Sequence, residues 1–275
     1  MPSAIQAWRD QVEAHHAQTH RAMAGRPEGD LWTSMAGRFK DDPHREEDPV
    51  VASLEQWVGP DGTVLDVGGG AGRLALPLAL RCRHVTVVEP SPSMLGALRE
   101  SAASAGIENV SVVEKNFEDT EVEPHDVVLC AHVVYGLTDI ETFVRKLAAS
   151  ARERVVIIAW MRSPLSRMSP LWEEVHQEPR IELPGMTALL PALWEMEIYP
   201  DITMLPPVPV RGMPNREAAI ATARAFMYVE PGSEKDQRLL EAAERLMVET
   251  ESGILMKDTP RTPQAILHWR TDRDW

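Results

Sequence analysis

Thr63-Val-Leu-Asp-Val-Gly-Gly-Gly-Ala-Gly-Arg73 is the stretch that decides the fold of this chain. It begins as an apolar, β-branched run, which is typical of a strand buried on both faces of a parallel sheet. Glycines then interrupt the run, and Leu74-Ala-Leu-Pro-Leu-Ala-Leu80 continues with a helical pattern. A strand, a glycine turn and a helix bring backbone N–H groups close to a nucleotide-like ligand, because glycine has no side chain to block the approach. The alternative is a tight turn that binds no ligand.

The spacing of the glycines separates two classes of nucleotide-binding protein. Glycines at positions 68, 70 and 72 follow Asp66 in the form acidic-x-G-x-G-x-G, whereas the dinucleotide fingerprint G-x-G-x-x-G needs glycine where Arg73 stands. The observed form resembles the first motif of the class I S-adenosylmethionine-dependent methyltransferases. The resemblance covers residues 48–160. It implies an α/β fold with a doubly wound, mostly parallel, seven-stranded Rossmann-like sheet, and S-adenosylmethionine as the cofactor.

Further cofactor contacts are expected where the next strands end. Residues 84–89 read as a second strand, and Glu89 lies about 20 residues beyond the glycine turn, where a doubly wound fold places an acid on ribose hydroxyls. After the third strand the family usually has an Asp that binds adenine, but here the matching residue is Asn116. The resemblance implies a cofactor-binding set of Asp66, Gly68, Gly69, Gly70, Gly72, Glu89, Pro90, Met94, Asn116, Phe117 and Ala131.

The candidate catalytic residues follow the fourth predicted strand. Transfer of a sulfonium methyl group requires mainly an aligned nucleophile and the exclusion of water, so no metal is expected. A base helps only when the attacking atom of the acceptor carries a proton. His132 is the first candidate base, with Tyr135 beside it, and His176 is a weaker candidate. The alternative for His132 is a polar residue at the start of a helix.

Composition restricts the substrate and the compartment. The formal net charge is −14, which disfavours a nucleic-acid substrate because phosphate backbones repel an anionic protein. The stretch Ala131-His-Val-Val134 also differs from the N/D-P-P-Y/F signature of amino-group nucleic-acid methyltransferases. Two predicted buried thiols, Cys82 and Cys130, favour a reducing compartment. With no signal pattern and no long apolar run, the sequence predicts a soluble, cytoplasmic protein that acts on a small molecule.

The chain divides into four predicted segments. Predicted helices at 4–24 and around 31–39 either cover the cofactor cleft or pack on the core, and the charged stretch 41–48 reads as a solvated linker. A late helix is predicted from Ser233 to Gly253. The family places the last strand antiparallel, between the fifth and sixth. The predicted segments are an N-terminal helical cover at 1–47, the cofactor-binding core at 48–160, an irregular substrate lid at 161–215, and C-terminal helices with the last strand at 216–275.

Two features of the flanking segments bear on ligands. His16 and His20 have the i, i+4 spacing of metal ligands, but no third ligand is evident nearby, so a solvated role is favoured. Residues 161–215 contain ten of the 22 prolines and six of the 13 methionines, which predicts an irregular apolar segment that lines an acceptor pocket. If so, truncation of Trp172 or Trp194 should leave the melting temperature nearly unchanged. The alternative is a packing lid.

Two other functions are compatible with the sequence. One is a nicotinamide-dependent oxidoreductase, which the residue at position 73 disfavours, and the other is a non-catalytic module that binds S-adenosylmethionine. The sequence leaves open whether oxygen, nitrogen, sulfur or carbon is methylated, and it leaves the oligomeric state open.

Overall fold

A computed structural model of the chain describes residues 2–23, 36–207, 212–258 and 262–272. In these ranges the α-helices are α1 (Ala4–Met23), α2 (Pro49–Glu55), α3 (Ala75–Ala79), α4 (Pro92–Ser104), α5 (Ile140–Ala149), α6 (Ser169–His176), α7 (Met186–Glu195), α8 (Arg216–Met227) and α9 (Glu234–Leu246). The strands are β1 (Thr63–Val67), β2 (His84–Val88), β3 (Val110–Val113), β4 (His125–Ala131), β5 (Ala151–Trp160), β6 (Asp201–Met204), β7 (Met247–Thr250), β8 (Gly253–Met256) and β9 (Gln264–Arg270).

Seven strands form one sheet in the order β3-β2-β1-β4-β5-β9-β6. The first five are parallel to one another, and β9 lies antiparallel between β5 and β6. The predicted doubly wound, mostly parallel sheet is therefore confirmed, including the insertion of the last strand. The parallel arrangement brings the carboxyl ends of β1, β2 and β4 to one edge of the sheet, where ligands bind in open α/β folds.

The two faces of the sheet support separate cores because side chains alternate along a strand. In β1, Leu65 and Val67 face a core that contains α1, α5 and α7, whereas Val64 faces a core that contains α2, α3 and α4. Residues of β4 and β5 divide in the same way. Both faces are thus covered, which explains why these strands read as continuous apolar runs.

The C-terminal helices form a third cluster with α6. Trp172 and Leu171 of α6 pack with apolar residues of α8 and α9. The prediction of one helix from Ser233 to Gly253 is wrong, since α9 ends at Leu246 and β7 pairs with β8 as a hairpin. Alternating, partly β-branched residues in β7 favour a strand, and Gly253 takes a φ of +105°, which a helix cannot accommodate.

The N-terminal elements match their predicted caps and bounds where they are described. The helix α1 corresponds to the predicted one, and Asp48 caps α2 by accepting hydrogen bonds from the backbone N–H groups of Val50 and Val51. Most of the second predicted helical face lies outside the described residues, and positions 36–39 form a short 3-10 helix. Over the described ranges, no helix is both long and apolar enough to cross a bilayer.

Candidate active site

The turn after β1 has the backbone conformation that its glycines permit. Gly68, Gly70 and Gly72 have φ values of +69°, +55° and +82°, all in the left-handed region that residues with a side chain rarely adopt. Gly68 donates its N–H to the carbonyl of Val88 at the end of β2, at 2.7 Å. The turn therefore lies at the carboxyl ends of two neighbouring strands.

Gly70 differs from the other glycines of the turn in the space beside it. A Cβ atom would come within 2.3 Å of Val133 at Gly68, within 2.8 Å of Asp66 at Gly69, and within 2.9 Å of Leu76 at Gly72. At Gly70 the same atom would meet, among the described residues, only the sulfur of Met94, at 3.8 Å. Three glycines are thus required by packing, whereas Gly70 faces open space over the turn. The turn at residues 68–72 and the open space beside Gly70 together form a cradle. The cradle fits a ligand that approaches the backbone closely, as S-adenosylmethionine would.

Glu89 joins the glycine turn to the start of α4. One oxygen of its buried carboxylate accepts the Gly70 N–H at 3.0 Å, and the other accepts the Ser91 N–H at 2.9 Å. Ser91 in turn caps α4 through the N–H of Met94. A carboxylate can accept about four hydrogen bonds, so these contacts are compatible with a further bond from a ribose hydroxyl. Glu89 therefore shapes the cradle as well as facing it.

Asp66 introduces a second carboxyl group below the turn. Its side chain is only 2% exposed, and burial raises its pKa to about 7, with a further increase from the charge of Glu89 and a decrease from Arg73. Near neutral pH the group is consequently close to half protonated. A cationic ligand in the cradle would favour the ionised form.

The stretch at 41–48 is more ordered than a solvated linker. Arg45 forms an ion pair with the buried carboxylate of Asp48 and donates to the backbone carbonyl of Arg73 at 2.6 Å. Arg73 also approaches Asp48, at 3.4 Å. The prediction of a solvated loop is therefore wrong for Arg45 and Asp48, which tie the entry to α2 to the end of the glycine turn.

The remaining predicted cofactor residues lie along the same edge in different environments. Pro90 is exposed after β2, and Ala131 is half-buried at the end of β4. Asn116 is exposed and donates to the carboxylate of Asp119 at 3.2 Å. The ring of Phe117 packs in the core and meets Phe143 edge to face at 5.5 Å. Phe117 thus has a packing role, and its contact with adenine stays a prediction.

His132 and Tyr135 are brought together where β4 ends. His132 has a φ of +63°, and its Nδ1 atom lies 3.3 Å from the Tyr135 hydroxyl. The Tyr135 oxygen accepts the backbone N–H of Trp160 at 2.8 Å, and the His132 ring stacks on the Trp160 ring with a centroid distance of 5.8 Å. Burial lowers the pKa of His132 to about 4 and raises that of Tyr135. Both groups are consequently neutral at physiological pH.

A cavity of about 300 Å³ lies between α1 and the C-terminal helices. One residue of its wall, His16, approaches the turn that follows β4: its Nε2 atom would lie 3.7 Å from a Cβ placed on Gly136. Its lining is mostly apolar with a few polar groups, as in small-molecule sites. The lining residues are His15, His16, Thr19, Met23, Leu165, Met168, Ser169, Trp172, Arg180, Leu183, Phe226, Met227 and Tyr228.

Fewer residues of the segment 161–215 line the cavity than the sequence predicts. Of the methionines and tryptophans expected to line a pocket, Met168 and Trp172 do so. Trp194 is 51% exposed on α7, so its assignment to the pocket is wrong. Met186 and Met196 are buried in the sheet core. Two short helices allow the proline-rich segment to place some apolar residues inward and others at the surface.

Sequence reasoning missed most of the polar groups in the cavity. Arg180 comes from the loop between α6 and α7, and Tyr228 from the end of α8, with no motif around either. His15 and His16 stand out only as part of a histidine-rich helix. His176 stacks on Trp172 and its Nε2 atom bonds the carbonyl of Met227 at 2.9 Å. Among the described residues, no group of three potential ligands could hold a metal ion.

Comparisons with known proteins agree with this geometry. Residues 64–154 match the family model of the methyltransferase domain. Over 72 residues the chain is 38% identical to the 23S rRNA (uracil(1939)-C(5))-methyltransferase RlmD of Klebsiella pneumoniae, which covers 26% of this chain and 17% of that protein. Over 81 residues it is 40% identical to the ubiquinone/menaquinone biosynthesis C-methyltransferase UbiE of Brucella canis, covering 28% and 30%. The chain thus spans less than a third of the length of either relative.

A solved structure extends the fold comparison to the whole chain. The [4+2]-cyclase SpnF superposes with a TM-score of 0.54 and 12% identity, covering 98% of this chain and 96% of that one. At this identity the likeness concerns the fold alone. The family match covers the segment that contains the glycine turn, Glu89 and the β4 exit. Residues 64–154 thus match a methyltransferase domain, and with the glycine turn this match indicates a core of the class I, S-adenosylmethionine-dependent kind, with S-adenosylmethionine as its cofactor.

Proposed function

We propose that this protein transfers a methyl group from S-adenosylmethionine to a small, partly apolar acceptor. The observation that supports the proposal is a cavity one of whose wall residues, His16, approaches Gly136, shortly after β4 of the segment that matches the methyltransferase domain. In this proposal residues 1–47 and the lid at 161–215 supply two walls of the acceptor site, and residues 216–275 supply the third. The cofactor-binding set along the sheet edge, from Asp66 to Ala131, faces the other side of the transfer site.

The cofactor supplies an electrophilic methyl group with a neutral leaving group. The residues of the chain have to hold it, orient the acceptor and exclude water. Gly70 admits the cofactor to the backbone, and Glu89 fixes the turn while it accepts from the ribose. Trp160, Tyr135 and His132 form a hydrogen-bonded and stacked group after β4, to which the proposal assigns the side of the transfer site that faces the acceptor.

The environment of His132 defines the kind of base that it can be. With a pKa of about 4 the imidazole is unprotonated at neutral pH, but it is a weak proton acceptor. It therefore suits an acceptor whose attacking atom carries an acidic proton or none. Tyr135 can hold the imidazole in place by donating its hydroxyl hydrogen to Nδ1 while it accepts from the backbone of Trp160. We assign His132 an orienting role and, for acidic acceptors, a proton-accepting one.

A small molecule is favoured over RNA on size and charge. A cavity of about 300 Å³ is at the lower end of small-molecule sites. The net charge of −14 opposes the binding of a phosphate backbone, whose affinity depends on Lys and Arg contacts. RlmD is named for an rRNA substrate and UbiE for quinone biosynthesis. The proposal places this chain with the second kind of substrate.

Two measurements test the proposal. Calorimetric titration with S-adenosylmethionine and with NAD⁺ should show binding of the first only, and binding of NAD⁺ alone would favour an oxidoreductase. Methyl-labelled S-adenosylmethionine should then label a member of a panel of small phenols, acids and quinones. Labelling of total RNA instead would contradict the small-molecule acceptor. Binding without labelling of any acceptor, in RNA or in the panel, would favour a non-catalytic module.

A further inference from the structure

Arg180 is held firmly in the wall of the cavity. Its Nη1 donates to the side-chain oxygen of Gln18 at 3.0 Å, and its Nη2 lies 2.7 Å from the Thr19 hydroxyl and 2.8 Å from Nε2 of His15. The guanidinium also lies over the Trp172 ring, 3.7 Å from its centroid. These contacts fix the orientation of the guanidinium plane, which is a requirement for recognising a planar anion.

Among the described residues, Arg180 has no direct ion pair, although the charge of Glu178 acts on it from a greater distance. Its hydrogen-bond partners are an amide, a hydroxyl and an imidazole, and burial lowers the pKa of that imidazole, on His15, to about 4. Within the described part of the chain, no carboxylate lies within 4.0 Å of Arg180, and the neighbouring Glu178 pairs with Arg21 instead. Burial lowers the pKa of Arg180 to about 10, so it still carries its charge at neutral pH. The mostly apolar cavity therefore contains one fixed positive charge.

The guanidinium also retains hydrogen-bonding capacity. Arginine has five N–H donors, and three are used by Gln18, Thr19 and His15. The remaining two, on Nε and Nη1, have no partner among the described residues. Apolar side chains around them, including Met168, Leu183 and Phe226, favour a ligand whose remaining surface is hydrophobic.

We infer that the cavity takes an apolar carboxylic acid, whose carboxylate binds Arg180 and whose hydrophobic body lies along Met168, Leu183 and Phe226. The inference rests on the proposed function, since it names the chemical class of the acceptor in that site. A fixed guanidinium is needed for such a ligand because the net charge of −14 otherwise disfavours anions. The bond is charge-assisted and partly desolvated, which makes it stronger than one at the surface.

A purely structural role is the alternative for Arg180. Its bonds to α1 connect that helix to the loop between α6 and α7, and its removal would lower stability in either case. Gln18 offers a matched control because it makes other bonds of the same connection between α1 and the loop. Its side-chain oxygen accepts from Arg180 and from the N–H of Ile181, and its amide nitrogen donates to the carbonyl of Pro179. Gln18→Ala removes these bonds without removing the positive charge of Arg180.

The experiment compares acids with their neutral amides. Calorimetry on the full chain measures Kd for benzoate, 2-naphthoate and biphenyl-4-carboxylate and for the three corresponding amides. In the wild type, at least one acid should bind about 10- to 100-fold more tightly than its amide, the range expected for a charge-assisted bond. Arg180→Gln should abolish this preference, and Arg180→Lys should keep part of it. Gln18→Ala should lower the melting temperature but keep most of the preference, because His15, Thr19 and Trp172 still hold the guanidinium.

Three results would overturn the inference. They are the absence of a preference for every acid in the wild type, a preference that survives in Arg180→Gln, and an equal loss in Gln18→Ala. If Arg180→Gln does not fold, as judged by circular dichroism, the comparison of Arg180→Lys with Gln18→Ala decides, because a full preference in the lysine variant would mean that the guanidinium N–H donors do not bind the carboxylate. Failure to bind S-adenosylmethionine would instead contradict the proposed function, whatever the outcome for the acids.

Discussion

The cofactor side and the acceptor side of this site are built in different ways. The cradle for S-adenosylmethionine consists mainly of backbone from one short region, from β1 to the start of α4, with Glu89 as its main side chain. The proposed acceptor cavity consists of side chains from three separate regions, on α1, on the 165–183 segment and at the end of α8. More than a hundred residues separate the first region from the second. The first region fixes geometry through chain conformation, whereas the second does so through tertiary packing.

This difference has consequences for substitution. In the cradle, one added side chain can occupy the place of the ligand while it leaves the fold intact, because Gly70 borders open space. In the cavity, the ligand-lining residues are also core residues of the C-terminal cluster, as Trp172 shows. Binding and stability should therefore be separable on the cofactor side and coupled on the acceptor side.

The largest expected effect is the loss of cofactor binding in Gly70→Val. The added side chain enters the open space over the turn, and S-adenosylmethionine affinity should fall by more than about 100-fold, or at least 2.7 kcal/mol. A φ of +55° also strains valine, which should cost about 1–2 kcal/mol of folding stability. Calorimetry and chemical denaturation measure the two effects.

Gly106→Val is the matched control for this change. Gly106 has a φ of +67° with open space around it, but it lies at the end of α4, away from the cradle. It should show the same strain and normal cofactor affinity. Near-normal affinity in Gly70→Val would contradict the assignment of the cradle.

Trp172→Ala should have the next largest effect, on the acceptor side. Trp172 is 1% exposed and contacts Arg180 and His176, so its truncation should destabilise the protein by about 3–5 kcal/mol and also weaken acceptor binding. This corrects the expectation from sequence that its melting temperature would stay unchanged. Trp194→Ala, at an exposed site, should change stability by less than about 0.5 kcal/mol. Urea denaturation measures the free energy of unfolding of both variants. A similar loss of stability in both would contradict the coupling of binding and stability on the acceptor side.

The same contrast explains how far the sequence could predict this molecule. The order of elements and the cradle were predictable, because a buried strand, a glycine turn and an acid after the next strand are local patterns with a physical cause. The cavity was only partly predictable. Trp194 and Trp172 lie in the same apolar, proline-rich segment, so its composition does not distinguish them. The difference in their burial depends on how α6 and α7 pack. Arg180 carries no local signal, since its partners on α1 are more than 160 residues away.

Glu89→Ala should weaken S-adenosylmethionine binding by about 2–3 kcal/mol, the scale of charge-assisted hydrogen bonds. Because Glu89 also accepts from Gly70 and Ser91, some stability should be lost as well. Deoxyribose analogues of the cofactor separate the two roles: they should lose less affinity in the variant than in the wild type. Equal losses would mean that Glu89 acts only on the turn. Glu114→Ala, at an exposed position after β3, provides a carboxylate control.

The smallest expected effect concerns the protonation of Asp66. Burial raises its pKa from 3.8 to about 7, so the folded state binds a proton that the unfolded state releases at pH 4–7. Stability linked to this group is therefore present at low pH and is lost as the pH rises toward 7, with about 2 kcal/mol lost between pH 5 and 7.5. Asp66→Asn mimics the protonated form, so its stability should approach that of the wild type only as the pH falls below about 4, and should exceed it by a margin that grows up to about pH 7.

The pH dependence also tests the connection between Asp66 and the cofactor. A sulfonium bound in the cradle favours the ionised carboxylate, so S-adenosylmethionine affinity should rise with pH through about 7 in the wild type and stay flat in Asp66→Asn. Calorimetry at pH 5.5 and 8.0 on both proteins measures this. Equal slopes would mean that Asp66 does not sense the cofactor charge. Arg180, on the acceptor side, should show no such slope, because its pKa of about 10 keeps it charged throughout this range.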